Sequence, residues 1–385
     1  MAKKYAPEFI AVRRHLHAHP ELSYQEFQTS VFVQRHLAAL GIPFEIKAET
    51  GVVGLIQGHH PHKKTIALRA DMDALPIVEA NDVPYKSTKE GVMHACGHDV
   101  HTSCLLGAAK ILNELKSEWE GTIKLIFQPG EEKNPGGASL LIEEGVLTNP
   151  RPDAIFGLHV HPALPTGQVS FRPGKIMASA DELYFTIRGK GGHAAAPQSC
   201  IDPIVIASHL VIALQQVISR RKNPLDPSVL SITAISGGST TNVIPGEVKL
   251  MGTFRAMDET WRFEAHEIIK TISQNLVSSM GGDLDLHIDV GYPNVFNNEA
   301  LTALATENAI RYMGTDFVKE TEIRMGAEDF GYYTQEIPGC FYRLGVMQDP
   351  QNIRNVHTPD FDIDEAAIET GMGMMAWLGA SVEFD

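Results

Sequence analysis

Cys96 and His98 stand two apart with Gly97 between them, and Glu131 is followed directly by Glu132. A thiolate and an imidazole on the same side of an extended stretch can ligate one metal cluster, with the glycine letting the backbone turn tightly. Adjacent carboxylates point to opposite sides, which suits a division of labour: one binds metal, and its neighbour handles the proton of an activated water. His159 in an apolar run and His357 before Thr358-Pro359 add imidazoles, and Asp71 and Asp73 add carboxylates. A mixed thiolate, imidazole and carboxylate set is typical of Zn(II) and also accepts Ni(II), Co(II) or Mn(II). Each residue alone has a plainer reading, as a buried thiol, a solvated turn or a core histidine. Their common position argues against those readings jointly.

That position follows from the elements around them. Short β-rich runs at 51–56, 65–70, 122–127 and 153–160 alternate with helical stretches at 101–119 and 137–144, the pattern of a mostly parallel, helix-covered sheet. Ligands of open α/β sheets bind at the carboxyl ends of the strands, and the unusual residues collect there: Asp71 and Asp73 after one strand, Glu131 and Glu132 after another, His159 in a third. Cys96 and His98 precede a helix, and His357 follows a run at 340–345. Ahead of the first strand, Ser23-Tyr24-Gln25-Glu26 reads as a capping box for a helix that Gly41 closes.

Between 181 and 292 the order becomes β-α-β-β-α-β, the ferredoxin-like unit, with helices at 203–220 and 260–280. Helix and strand alternation then resumes at 299–312, 340–345 and 364–378. The expected fold class is therefore α/β, with an inserted α+β domain. The catalytic domain comprises 1–180 and 293–385, and the insert 181–292.

Composition limits what this scaffold serves. With 43% hydrophobic and 21% charged residues the 385-residue chain has material for real cores. Its formal charge of -15 repels phosphate backbones and anionic bilayers, so neither nucleic acid nor membrane is an expected partner. The expectation is that no apolar run approaches the ~20 residues that span a bilayer and that Met1-Ala2-Lys3-Lys4, followed by Tyr5, Pro7 and Glu8, does not open a signal peptide. Four cysteines without paired spacing do not make a disulfide framework. A cytoplasmic location is the expectation.

Eight motifs then carry a resemblance: Arg69-Ala70-Asp71-Met72-Asp73-Ala74-Leu75-Pro76, Met93-His94-Ala95-Cys96-Gly97-His98-Asp99, Gln128-Pro129-Gly130-Glu131-Glu132, Gly157-Leu158-His159, Gly192-His193-Ala194-Ala195-Ala196-Pro197, Thr241-Asn242-Val243-Ile244-Pro245, Met325-Gly326-Ala327-Glu328-Asp329-Phe330 and Val356-His357-Thr358-Pro359. In this order they resemble the dinuclear metallo-amidohydrolases and metallopeptidases, in the branch of aminoacylase, hippurate hydrolase, auxin-conjugate (IAA-amino acid) hydrolases and N-acetyl-diaminopimelate deacetylase. The resemblance implies a zinc-exopeptidase-like catalytic domain whose insert serves as lid and dimerisation domain. It implies two divalent ions per subunit (Zn, Mn, Ni or Co) on Cys96, His98, Glu132, His159 and His357, Cys96 bridging, with Glu131 as general base toward a metal-bridging water. Asp73 matches an aspartate behind the ligands. His193 would reach into the partner subunit's site to polarise the scissile carbonyl, and Asn242 and Arg255 would bind the substrate.

The implied reaction is hydrolysis of an N-acyl amino acid, N-acetyl, N-benzoyl or similar, by a homodimer. Metallopeptidase relatives carry His-x-Asp where this chain has Asp71-Met72-Asp73, which tilts the reading away from a dipeptidase or aminopeptidase. Many members of the branch have Ala at Gly130 and a Gly pair directly after the two glutamates, whereas Lys133-Asn134-Pro135 intervenes here before Gly136-Gly137. The rivals are a thiol hydrolase with Cys96 as nucleophile and His98 or His94 as base, and a binding protein that has lost its metals.

Overall fold

The computed structural model describes residues 1–347 and 351–383, so 348–350 and 384–385 of the expected catalytic domain lie outside the described residues. The chain forms two compact units, Met1–Gly174 with Phe296–Glu322 and Asp329–Asp385, and Lys175–Val295 with Ile323–Glu328. The expected limits 181 and 292 fall inside the second unit. Ile323–Glu328, expected with the catalytic domain, packs with the insert instead.

The first unit is built on an eight-stranded sheet in the order Phe44–Lys47, Gly51–Gln57, Thr122–Gln128, Thr65–Asp71, Ala154–Pro165, Gly339–Met347, Val169–Phe171, Val318–Glu320. The four central strands, Thr122–Gln128 through Gly339–Met347, pair in parallel, and all but a few of their residues are buried. Continuous apolar runs such as Ile66, Ala67 and Leu68 are what a strand covered on both faces requires. The helices Ala2–Ala18, His98–Glu114 and Ala367–Ser381 pack on one another over this sheet. Their core includes Phe9, Leu105, Leu106, Met372 and Met375, each large side chain contributing roughly 1.5–3 kcal/mol on burial.

Two local expectations are corrected. The helix after Ser23 spans Phe27–Ala39, and its first amides are capped from outside: Oε2 of Glu21 accepts from the backbone N–H of Gln28 and Thr29, each at 2.9 Å. Ser23 forms no capping box because its hydroxyl donates to Oδ2 of Asp73 at 2.7 Å. The helix read at 101–119 begins at His98 and ends at Glu114, so His98 is its first residue.

In the second unit, the strands Ser228–Ser236, Glu247–Ala256, Asp181–Arg188 and Asp283–Val290 lie in that order, all pairs antiparallel. This is the ferredoxin-like arrangement. Leu183, Phe185 and Ile187 alternate inward from the strand Asp181–Arg188 and meet Leu210, Leu214, Ile269 and Val277 of the two helices. Asp202 and Asp258 cap those helices, their carboxylates accepting from Ile204 N and Trp261 N.

The helix Pro203–Gln216, continued by Val217–Arg221, is long and apolar enough by length and composition to cross a membrane, contrary to the expectation that no run approached that length. It buries Ile206, Ala207, Leu210, Leu214 and Val217 in the core of its own unit.

Candidate metal centre and active site

Gly97 decides how Cys96 and His98 meet. The expectation of an extended stretch is overturned: Gly97 takes φ +84°, and the chain turns there into the helix His98–Glu114. A Cβ at this position would stand 2.6 Å from Cγ2 of Val160, so glycine is demanded twice, by conformation and by space. The turn still brings the Cys96 and His98 donor atoms together, within 4.8 Å of each other.

Around Cys96 the imidazoles close in. Sγ lies 3.4 Å from Nε2 of His159 and 3.3 Å from Nε2 of His357. His357 enters from its loop in the left-handed region, φ 64°, its backbone N–H donating to Ala95 O at 2.7 Å. Nε2 of His357 is 3.1 Å from Oε1 of Glu132, and Nε2 of His98 lies 3.9 Å from both Oε2 of Glu131 and Oε1 of Glu132. Donors bonded at ~2.0–2.3 Å to one tetrahedral ion stand roughly 3.3–3.7 Å apart, and the two sulfur contacts match that spacing. Cys96 takes part in two potential ligand triads, one with His98 and His159 and one with Glu132 and His357.

The hydrogen-bond inventory also fits a cation. Among the described residues, Nε2 of His98 and Oε1 of Glu132 are buried without a hydrogen-bond partner, although Oε1 lies 3.1 Å from Nε2 of His357. Orphaned buried donors and acceptors are expensive, and a metal ion satisfies both kinds. His159 holds its Nδ1 proton against Val160 O at 2.8 Å, which leaves the Nε2 lone pair free. Burial, with His101 and Arg343 nearby, keeps its pKa well below the usual histidine range, so the ring is neutral, the form in which imidazole binds metal.

Asp73 has a definite task. Its Oδ1 faces Nδ1 of His98 at 3.1 Å, while Oδ2 accepts from the backbone N–H of Glu132 at 3.0 Å and from Ser23. One carboxylate thus orients the His98 ring and the Glu132 backbone. Burial alone would raise the Asp73 pKa, but its hydrogen bonds and the nearby His98 outweigh that and lower it. Burial opposes a charge on His98 as well, yet Asp71, Asp73 and Glu132 push its pKa up to about 10. The negative field here takes up a cation, proton or metal.

Cys96 responds in the opposite sense. Burial first, then Glu132, Glu131 and Asp71, push its thiol well above the ordinary range. Thiolate forms there only with a counter-cation, which suits a ligand and not a free nucleophile.

His101 is the residue that sequence reasoning passed over. Its Nδ1 donates to Oδ1 of Asp71 at 2.6 Å and its Nε2 accepts the backbone N–H of Val160 at 3.0 Å. Asp71 also receives Nη1 of Arg69 at 2.6 Å, and Arg69 continues to Asp329 and Gln128. The available signal was the spacing of His98 and His101, three residues apart on one helix face.

His193, Asn242 and Arg255 all belong to the second unit. His193 is exposed and pairs with Val243 on a two-stranded ribbon, and Ala194 N donates to Asn242 O at 3.0 Å, so His193 and Asn242 are neighbours. Ala195 N donates to Nδ1 of His193 at 3.1 Å, placing the ring proton on Nε2. Arg255 is half-buried on the strand Glu247–Ala256, with Nε donating to Thr253 Oγ1 at 3.1 Å.

Comparison with known proteins places this geometry in a family. Residues 67–378 match the model of peptidase family M20/M25/M40. The chain is 41% identical over 362 residues to N-acetyl-L-cysteine deacetylase of Bacillus subtilis, covering 94% of this chain and 85% of that protein. It is 40% identical over 369 residues to thermostable carboxypeptidase 2 of Saccharolobus solfataricus, covering 94% and 92%. The crystal structure of the Bacillus subtilis YXEP protein, a dinuclear metal-binding peptidase of the M20 family, superposes with a TM-score of 0.85 at 34% identity over 98% of each chain. The chain belongs to the M20/M25/M40 peptidase family and is a metal-dependent hydrolase acting on amide bonds.

Proposed function

We propose that the chain hydrolyses N-acyl amino acids, with Cys96, His98, Glu132, His159 and His357 holding two divalent ions and Glu131 as general base. The observation that carries this is the position of Cys96 Sγ, 3.4 and 3.3 Å from two imidazole nitrogens, with Glu131 and Glu132 both 3.9 Å from the third. Bound zinc, manganese, nickel or cobalt supplies Lewis acidity and lowers the pKa of water from 15.7 toward ~7. Glu131 accepts the proton of the attacking water and returns it to the departing nitrogen, a role worth roughly 10²- to 10⁴-fold. Asp73 keeps the His98 ring and the Glu132 backbone in place meanwhile.

The similar proteins support the substrate class. A deacetylase of N-acetyl-L-cysteine and a carboxypeptidase share one chemical feature, an amide nitrogen borne by an amino acid with a free carboxylate. Arg255, whose one side-chain hydrogen bond among the described residues uses Nε, has guanidinium nitrogens left for such a carboxylate. The Nε2–H of His193 is the donor that a developing oxyanion needs, and Asn242 beside it offers a second polar contact.

We also propose a homodimer through the insert, supported by Ile204, Val205 and Ile212, which the helix Pro203–Gln216 exposes by 43%, 45% and 72%. The four unpaired cysteines support a cytoplasmic setting. The alternative, a dipeptidase or aminopeptidase on the same ligands, is separated by a substrate panel. Turnover of N-acetyl and N-benzoyl amino acids above that of free-amine dipeptides supports acyl hydrolysis, and the reverse order supports the peptidase.

A further inference from the structure

The loop bearing Glu131 and Glu132 is held from outside by two residues of the segment that precedes the helix Phe27–Ala39. Glu26, fully buried, accepts the backbone N–H of Gly130 on Oε1 at 2.8 Å, shares that oxygen with Tyr24 N at 2.9 Å, and receives the Thr50 hydroxyl on Oε2 at 2.9 Å. Tyr24 itself adopts φ 65°, a region that aromatic residues rarely enter. This conformation lays its ring on Gly130, where a Cβ would stand 2.6 Å from Cζ. Gly130, at φ +58°, therefore admits no side chain while the ring is there. Beyond the two glutamates, the Tyr24 hydroxyl donates to Lys133 O at 2.6 Å and accepts from Gly136 N at 3.0 Å.

These contacts bracket the catalytic pair. The backbone is fixed one residue before Glu131 by Glu26 and one residue after Glu132 by Tyr24. Between them Glu132 N is held by Asp73, which Ser23 of the same segment also binds. We infer that Tyr24 and Glu26 are positioning residues that form a latch on the loop 129–137 and set where the Glu131 carboxylate stands relative to the metal ligands. This rests on the reading of Glu131 as base. The latch also gives the turn 133–136 its anchor, since the two backbone groups that Tyr24 bridges lie at its ends.

The test uses the metal-loaded enzyme, an N-acetyl amino acid substrate, and measurement of kcat, KM, bound metal and melting temperature. Glu26→Ala leaves Gly130 N–H without its acceptor and is expected to lower kcat about tenfold or more, with KM changed much less and metal content retained. Glu26→Gln keeps an oxygen that can accept both N–H groups and should recover most of the lost turnover. Tyr24→Phe keeps the ring on Gly130 but frees the turn, and a fall of about threefold in kcat at unchanged metal content is expected. Wild-type kcat in metal-replete Glu26→Ala and Tyr24→Phe overturns the latch. So does a Glu26→Gln variant as impaired as Glu26→Ala. If Glu26→Ala does not fold, the Tyr24→Phe and Glu26→Gln results decide. Glu131→Gln is measured alongside: full turnover there removes the base assignment, while the latch is still judged on kcat in the other three variants.

Discussion

His101 and Asp71 form a buried pair in which the imidazole is used at both ends, Nδ1 toward the carboxylate at 2.6 Å and Nε2 toward Val160 N at 3.0 Å. A histidine so committed is a brace, not a ligand. It ties the residue following His159 to the helix that starts with His98, so two imidazoles from different elements share one support. Arg69 and His101 between them bond both carboxylate oxygens of the aspartate, Oδ2 and Oδ1.

Replacing Asp71 by Asn should therefore disturb support and leave the ligand set itself intact. Burial alone would raise its pKa, but His98, His101 and Arg69 hold it well below the usual carboxylate range, so the charge is present at neutral pH. Asp71→Asn is expected to weaken metal binding about 10- to 100-fold, as loss of residues behind a ligand does. Competition with a chelator dye measures this, and unchanged affinity contradicts the brace.

Arg13 supplies the cation at the other side of the same helix. It is fully buried, with Nε donating to Oδ2 of Asp99 at 2.7 Å and Nη2 to Asp362 at 3.0 Å. Arg13→Ala leaves the buried Asp99 carboxylate with His17 Nδ1, at 2.8 Å, as its remaining cationic partner, and should cost about 3 kcal/mol in urea unfolding. A loss below about 1 kcal/mol would show that the pair does not secure the helix.

Glu26 provides a signature in pH. Burial, then the charge of Asp73, pushes its pKa up to about 7, against an ordinary 4.5. Between those values the folded state keeps a proton that the unfolded state releases, so this contribution to stability is full below 4.5, falls as pH rises and is gone above about 7. Glu26→Gln cannot titrate. In metal-free protein it should gain on the wild type by on the order of 3 kcal/mol between pH 4.5 and pH 8. Parallel stability curves for the two proteins contradict the shifted pKa.

Much of this was legible in sequence because it rests on local pattern. The runs at 65–70 and 122–127 are nearly the observed strands Thr65–Asp71 and Thr122–Gln128, since a strand buried on both faces announces itself as continuous apolar residues. What pattern could not carry is partner choice at long range. Ser23 looks like a cap until its acceptor proves to be Asp73, 50 residues away, and Arg69 meets Asp329 across 260. The left-handed Gly97 likewise turned an expected extended pair into a helix start, because Val160, distant in sequence, crowds that backbone.

Removal of metal discriminates against the thiol route. The pushed-up Cys96 thiol makes a metal-free nucleophile unfavourable, so exhaustive chelation should abolish turnover and Zn(II) or Mn(II) should restore it. Retained activity in metal-free protein would instead make Cys96 the nucleophile.

Most direct is crystallography with anomalous scattering on protein reconstituted with excess zinc, for the wild type and Glu131→Gln. Two ions per chain are expected in both, within about 2.0–2.4 Å of donors from Cys96, His98, Glu132, His159 and His357, Cys96 touching both, with turnover lost in Glu131→Gln alone. A single ion, ions away from these five side chains, or full turnover in Glu131→Gln would contradict the dinuclear site with Glu131 as its base.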